Sequence, residues 1–172
     1  MLIAHLPAGY LLGCVINTLQ IDESNSKQAV IFAASIGAVL PDVDLLYFYT
    51  LGGRRMVHHY YITHTPLFWL TLAIVISLVL LCSARHYLAP LIVGYLGVLL
   101  HLLLDTVGGS IRWLYPFQNE PLTFVYIPAR YSLWVLNFVT HWTFAIEIIL
   151  CCLALVIYLK NKQTENSQLQ VN

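Results

Sequence analysis

The sequence predicts an all-α protein, a polytopic membrane bundle of four to five transmembrane helices. Of its 172 residues 59% are hydrophobic and only 9% charged, and the mean hydropathy is +0.76. A soluble domain carries about 25% charged residues and is far less apolar. The apolar residues are also gathered into runs that cross, or nearly cross, a hydrocarbon core of ~30 Å at ~1.5 Å per residue. A formal net charge of zero offers no basic face to a nucleic-acid partner.

The first apolar stretch, Leu6–Leu19, is short for a span and reads either as a fifth span or as a tilted or partial helix. It lacks the basic start and cleavage site of a signal peptide and is expected to stay in the mature protein. The polar stretch Asp22–Lys27 leads into Ala29–Tyr49, a run interrupted by Pro41. Gly52-Gly53-Arg54-Arg55 opens a loop ending at Pro66. Pro66–Cys82 and Leu88–Val107 follow, joined by the tight connection Ser83–Tyr87. The longest loop is Gly108–Ser132, and Phe138–Leu159 is the last run of spanning length. Residues 1–159 then form one membrane-embedded domain, and 160–172 a polar tail expected to lack regular structure. Cys14, Cys82, Cys151 and Cys152 fall in apolar segments with no zinc-ribbon spacing, as buried small hydrophobes do.

Polar residues inside these runs carry the functional signal. An imidazole and a carboxylate each cost roughly 2.5–3.5 kcal/mol near a bilayer centre by insertion scales. His101 and Asp105 are four apart, stacked on one helix face. They offer a nitrogen and an oxygen to one point, or a carboxylate that orients an imidazole. Pro41-Asp42-Val43-Asp44 breaks a helical run. Residues two apart on a regular helix face opposite ways, so only a local break lets both carboxylates serve one centre. His59 and His64 lie at the mouth of the third run, and His141 and Glu147 near the start of the last. Counting from the helix ends, with all five segments spanning, places His5, Asp42, Asp44, His59, His64, His101, Asp105, His141 and Glu147 in one slab. That slab runs from one membrane surface to roughly 10 Å deep. Each residue alone has a structural reading, as a hydrogen-bonded helix tie or an exposed loop side chain. Helices of alternating direction would scatter unrelated polar residues to both sides, so the convergence points to one site. Arg54, Arg55, Arg112 and Arg130 lie on the same side, suited either to phosphate recognition or to interfacial anchoring.

His5-Leu6-Pro7, Leu40-Pro41-Asp42-Val43-Asp44, His59-x-x-x-Thr63-His64-Thr65 and Gly94-Tyr95-Leu96 leading to His101-x-x-x-Asp105 occur in that order. Gly108-Gly109 and Trp113-Leu114-Tyr115-Pro116-Phe117 follow. In these motifs the chain resembles the LexA-regulated, YdjM-like family of predicted membrane-bound metal-dependent hydrolases. Tyr60-Tyr61 departs from the family, which commonly has Arg-Gly there. The resemblance implies a multi-pass protein of the bacterial inner (plasma) membrane. A fainter similarity, in the order of histidines and acids, is to the soluble zinc phospholipase C and P1 nuclease families, which cleave phosphate esters with a zinc cluster. Here the last histidine and acid are six apart rather than four, and one intermediate histidine is absent.

The reading that joins these observations is a membrane-bound metal-dependent hydrolase acting on an ester at one bilayer face, a lipid phosphoester above all. Asp42, His64, His101 and Asp105 are the expected core ligands of one or two divalent ions, Zn²⁺ foremost. His5, His141 and Glu147 would complete the site. Asp44 or His59 would be the general base, and Arg54, Arg55, Arg112 and Arg130 would bind phosphate. The expected partner is a membrane lipid as substrate. A metal-ion or proton transporter and a haem-binding membrane protein are the alternatives. Substrate, metal, membrane orientation and oligomeric state are not legible in the sequence.

Overall fold

The computed structural model describes residues 1, 3–19, 26–51 and 58–171. Among them the secondary structure is helical, with a single isolated bridge between Ile111 and Leu122. The α-helices are α1 (His5–Thr18), α2 (Lys27–Gly37), α3 (Asp44–Thr50), α4 (Pro66–Ser83), α5 (Leu88–Gly108), α6 (Trp134–Val139) and α7 (Phe144–Val171). The segments Pro66–Ser83, Arg85–Gly108 and Phe144–Gln168 are each long and apolar enough to cross a membrane. The pair Lys27–Gly37 and Leu40–Thr50 makes a fourth crossing if the two are one span, bent by 53°. Helix α1 has 14 residues, about 21 Å of rise, and falls short of a full crossing.

The bend follows from Pro41. A proline has no N–H to continue the helical ladder, and the chain passes instead through a 3₁₀ turn, Leu40–Val43, before α3 resumes. At the other end of the chain the expected last span begins later than its hydropathy indicates. The Thr140 hydroxyl bonds back to the Leu136 carbonyl, and the Thr143 N–H turns to Nδ1 of His141 at 3.4 Å. Such local side-chain bonds compete with the helical ladder, and α6 and α7 are separate helices. Helix α7 then continues past Lys160 to Val171, where the sequence reading expected no regular structure. That stretch has no glycine or proline to stop a helix.

Helices α2 and α5 form the centre of the bundle. Helix α1 packs on α2, α5 and α7, and α4 on α5. Lipid provides no hydrophobic drive between helices, so close backbone approach at small residues supplies the packing. A Cβ on Gly37 would lie 1.9 Å from the Gly94 carbonyl oxygen, and one on Gly97 would lie 2.4 Å from that of Ala34. Ile16, Val30, Ala34 and Val93 bury one apolar cluster along this seam. Trp69, Val98, Leu102 and Ile111 bury a second, where α4 and the long loop meet α5. That loop is drawn back over the end of α5 by bonds from the N–H groups of Phe124 and Val125 to the carbonyls of Thr106 and Val107, 2.8 and 2.9 Å. Through this connectivity the starts of α1, α4 and α7 and the ends of α2 and α5 share one end of the bundle.

Replacing Gly97 with alanine should force α2 and α5 apart, at roughly 1–3 kcal/mol for an overpacked contact. The expected result is a lower thermal unfolding midpoint in detergent with helical content retained at low temperature. An unchanged midpoint would mean that the seam does not hold the bundle.

Candidate metal centre

Four side chains from three elements meet at that end. Asp42 comes from the 3₁₀ turn after α2, His64 from the turn Ile62–His64 before α4, and His101 and Asp105 from successive turns of α5. One ligand atom from each lies within 4.8 Å of the others. Nε2 of His101 is 3.1 Å from Oδ2 of Asp105 and 3.8 Å from Oδ1 of Asp42. Nε2 of His64 is 3.7 Å from each of the same two oxygens. A tetrahedral ion with bonds of ~2.1 Å sets neighbouring ligand atoms about 3.4 Å apart, in the middle of this range.

The protons settle whether a cation fits. Nδ1 of His101 lies 2.8 Å from the Ala38 carbonyl oxygen, which only accepts, so Nδ1 carries the hydrogen and Nε2 turns a lone pair to the centre. Nδ1 of His64 likewise faces Oδ2 of Asp44 at 2.8 Å and directs Nε2 inward. Nε2 of His101 and Oδ2 of Asp105 are buried with no hydrogen-bond partner, although they are close, because with the imidazole hydrogen on Nδ1 both atoms present lone pairs. Two carboxylates and two imidazole nitrogens aimed at one buried point repel one another unless positive charge lies between them. The group therefore fits a divalent ion.

The Ala38 carbonyl is available because of the proline. In a 3₁₀ turn its partner would be the N–H of residue 41, which is proline, and the next N–H, from Asp42, goes to the Val39 carbonyl instead at 3.1 Å. The second imidazole has a similar support. Asp44 holds Nδ1 of His64 and also accepts the Thr63 hydroxyl at 2.6 Å. Burial works to lower the basicity of His64, but the carboxylates of Asp42 and Asp44 outweigh it and raise its pKa to about 9.

Around these four, His5 and His59 also reach the centre. His5 stacks on His101 with ring centroids 3.8 Å apart, and its Nε2 lies 3.1 Å from Oδ1 of Asp105. The amine of Met1 ion-pairs with that same oxygen. Nε2 of His59 lies 3.4 Å from Oδ2 of Asp105. Its ring enters over Gly109, where a Cβ would sit 2.4 Å from it. Glu147 is buried and accepts the Ile3 N–H at 2.7 Å, outside the four-residue group. His141 faces the Thr143 hydroxyl at 3.0 Å, also outside it. Arg112 stacks between the rings of Tyr60 and Tyr115, 5.0 and 4.4 Å from their centroids, and donates to the Tyr60 carbonyl, on the loop that carries His59. Arg130 is exposed, and Arg54 and Arg55 lie outside the described residues. Sequence reasoning did not single out the Ala38 carbonyl, the Thr63 hydroxyl or Gly109 for the site. Only the first had a readable signal, Pro41 three residues on.

A family model described as YdjM inner membrane protein matches residues 1–164. The chain belongs to the YdjM inner membrane protein family. With its three to four apolar helices able to span, it is a multi-pass inner membrane protein. No curated protein and no solved structure shows a significant match.

Two outcomes follow from the supports. Pro41→Ala restores an N–H that competes for the Ala38 carbonyl, so His101 should lose its anchor and divalent-ion affinity should fall about tenfold or more, as when an outer partner of a ligand is removed. Isothermal titration with Zn²⁺ that finds unchanged affinity would dismiss the anchor. Binding at His64 must also displace its proton. Affinity should therefore rise with pH by up to about tenfold per unit and level off above about 9, the pKa of His64.

Proposed function

We propose that this protein is a membrane-bound hydrolase that uses a divalent ion, best matched by Zn²⁺, to cleave a phosphoester of a membrane lipid. The observation that carries this reading is an apolar groove of about 230 Å³ between α2, α4 and α5, lined at one end by residues close in sequence to those of the metal centre. At one end its walls are Leu40, Trp69 and Val98. Leu40 stands two residues before Asp42, Val98 one turn before His101, and the Trp69 indole donates to the Thr63 carbonyl at 2.6 Å. At the other end the walls are Ile76, Pro90 and Leu91, inside the membrane-spanning segments. Roughly 30 Å³ per water-sized group gives room for about eight methylenes. An acyl chain lying there would bring its headgroup to the side chains of the centre.

A divalent ion bound at the centre would supply Lewis acidity to the phosphoryl oxygen and lower the pKa of a bound water towards ~7. The protein's own groups do the rest. Asp42 is the most open of the four ligands, its side chain 23% exposed, so substrate enters on its side. Asp44, behind His64, acts in this reading as a positioning residue rather than as the base. His59, beside Asp105, takes the role of proton acceptor. Arg112, packed against the rings of Tyr60 and Tyr115, has further N–H groups for a phosphate oxygen. Transport would need polar groups leading across the bilayer, whereas below the centre the described residues Ile16, Val30, Ala34 and Val93 pack an apolar floor.

The test is phosphate or phosphorylated-headgroup release from a lipid panel by the reconstituted protein. Release should be abolished by chelator and by Asp105→Asn. Ala73→Phe, which fills the groove, should raise KM for long-chain substrates about tenfold while leaving a short-chain analogue unaffected. Ion flux without hydrolysis of any lipid would replace this reading with transport.

A further inference from the structure

The two aspartates do not turn both oxygens to the same partners. Oδ2 of Asp105 faces His101, His59 and His64 at 3.1, 3.4 and 3.7 Å, whereas its Oδ1 faces His5 at 3.1 Å. Asp42 divides in the same sense. Its Oδ1 faces His64 and His101, and its Oδ2 faces Nδ1 of His5 at 3.5 Å. One set of oxygens belongs to the four-residue centre; the other set looks away from it, towards His5.

We propose that a second divalent cation binds on the His5 side, with Asp105 bridging the two ions through its two oxygens. His5 Nε2 is the nitrogen ligand, and Asp42 Oδ2 fixes the ring from the Nδ1 side. His5 is 5% exposed, and its Nε2 is buried with no hydrogen-bond partner, so the 3.1 Å approach to Asp105 is not a hydrogen bond. It is a spacing of two ligand atoms about one ion. The amine of Met1 at the same Asp105 oxygen is a cation in that position. A bridging carboxylate sets two ions about 3.5–4 Å apart, a spacing that serves both the attacking and the leaving oxygen of a phosphoester. With fewer protein ligands than the first, this ion exchanges more readily and keeps positions open for substrate oxygens.

The inference rests on the metal reading of the first centre, and the experiment separates the two. Full-length protein in detergent, freed of metal, is dialysed to equilibrium against Mn²⁺ at saturating concentration, then analysed for metal and by electron paramagnetic resonance. Two ions per chain with the spectrum of an exchange-coupled pair are expected. His5→Ala should hold one ion with the spectrum of an isolated Mn²⁺, and Asp105→Asn should lose the coupling. His5→Gln, with circular dichroism as the check, covers a failure of the alanine variant to fold, and the wild-type spectrum decides in either case. One uncoupled ion in the wild type overturns the second site and leaves the first standing. No bound ion overturns both, and two coupled ions in both His5 variants overturn the assignment of His5.

Discussion

A proline in a membrane helix leaves carbonyls without donors, and the bilayer has no water with which to satisfy them. In this chain the freed carbonyl belongs to Ala38, and the donor that takes it is the imidazole of His101. That single bond does three things. It repairs the helix break, it ties α2 to α5, and it fixes which nitrogen of His101 faces inward. The break itself turns the chain so that Asp42 comes off the end of α2 towards the same point. A continuous helix from Lys27 to Thr50 would satisfy its own backbone and offer none of this.

The glycine seam is what allows the bond to form. His101 reaches Ala38 only because α5 lies against α2 at backbone distance, through Gly37 and Gly97. Helix α1 comes equally close: a Cβ on Gly9 would meet Ala38 and the Ala34 carbonyl oxygen within 2.8 Å. Gly9 lies one turn after His5, so the contact that seats α1 also lays the His5 ring on that of His101. Packing without side chains thus fixes where the charged side chains stand. Burial of carboxylates among imidazoles is costly unless a cation joins them, and the close-packed seam leaves them little freedom to move apart.

Much of this was legible in the sequence, for reasons that differ by residue. His101 and Asp105 were readable from helical spacing alone, and the one-sided slab from counting along helices of alternating direction. The fate of Asp44 was not. Periodicity says that Asp42 and Asp44 face apart on a regular helix, but not where a 3₁₀ turn will send the second of them. It went behind His64, through a pairing twenty residues away in sequence. His141 and Glu147 were harder still, because the hydropathy of residues 138–159 gives no sign that side-chain bonds at Thr140 and Thr143 divide the segment. The use of Gly109 as the gap through which His59 enters depends on a loop whose path no local pattern records.

The position of the centre along the bundle constrains its chemistry more than the identity of any ligand does. Imidazoles and carboxylates deep in a bilayer are costly, and a transporter meets that cost along a whole path because its cargo must cross. This bundle gathers them at one end, and further along it the described residues Ile16, Val30, Ala34 and Val93 pack an apolar cluster. Between α2, α4 and α5 lies an apolar groove that runs from Leu40 and Val98 to Ile76 and Pro90. A polar head above an apolar groove has the shape of a lipid, and a reactant of that shape need not leave the bilayer to reach the centre. Under the proposed reading, a water-soluble ester would use only half of the arrangement.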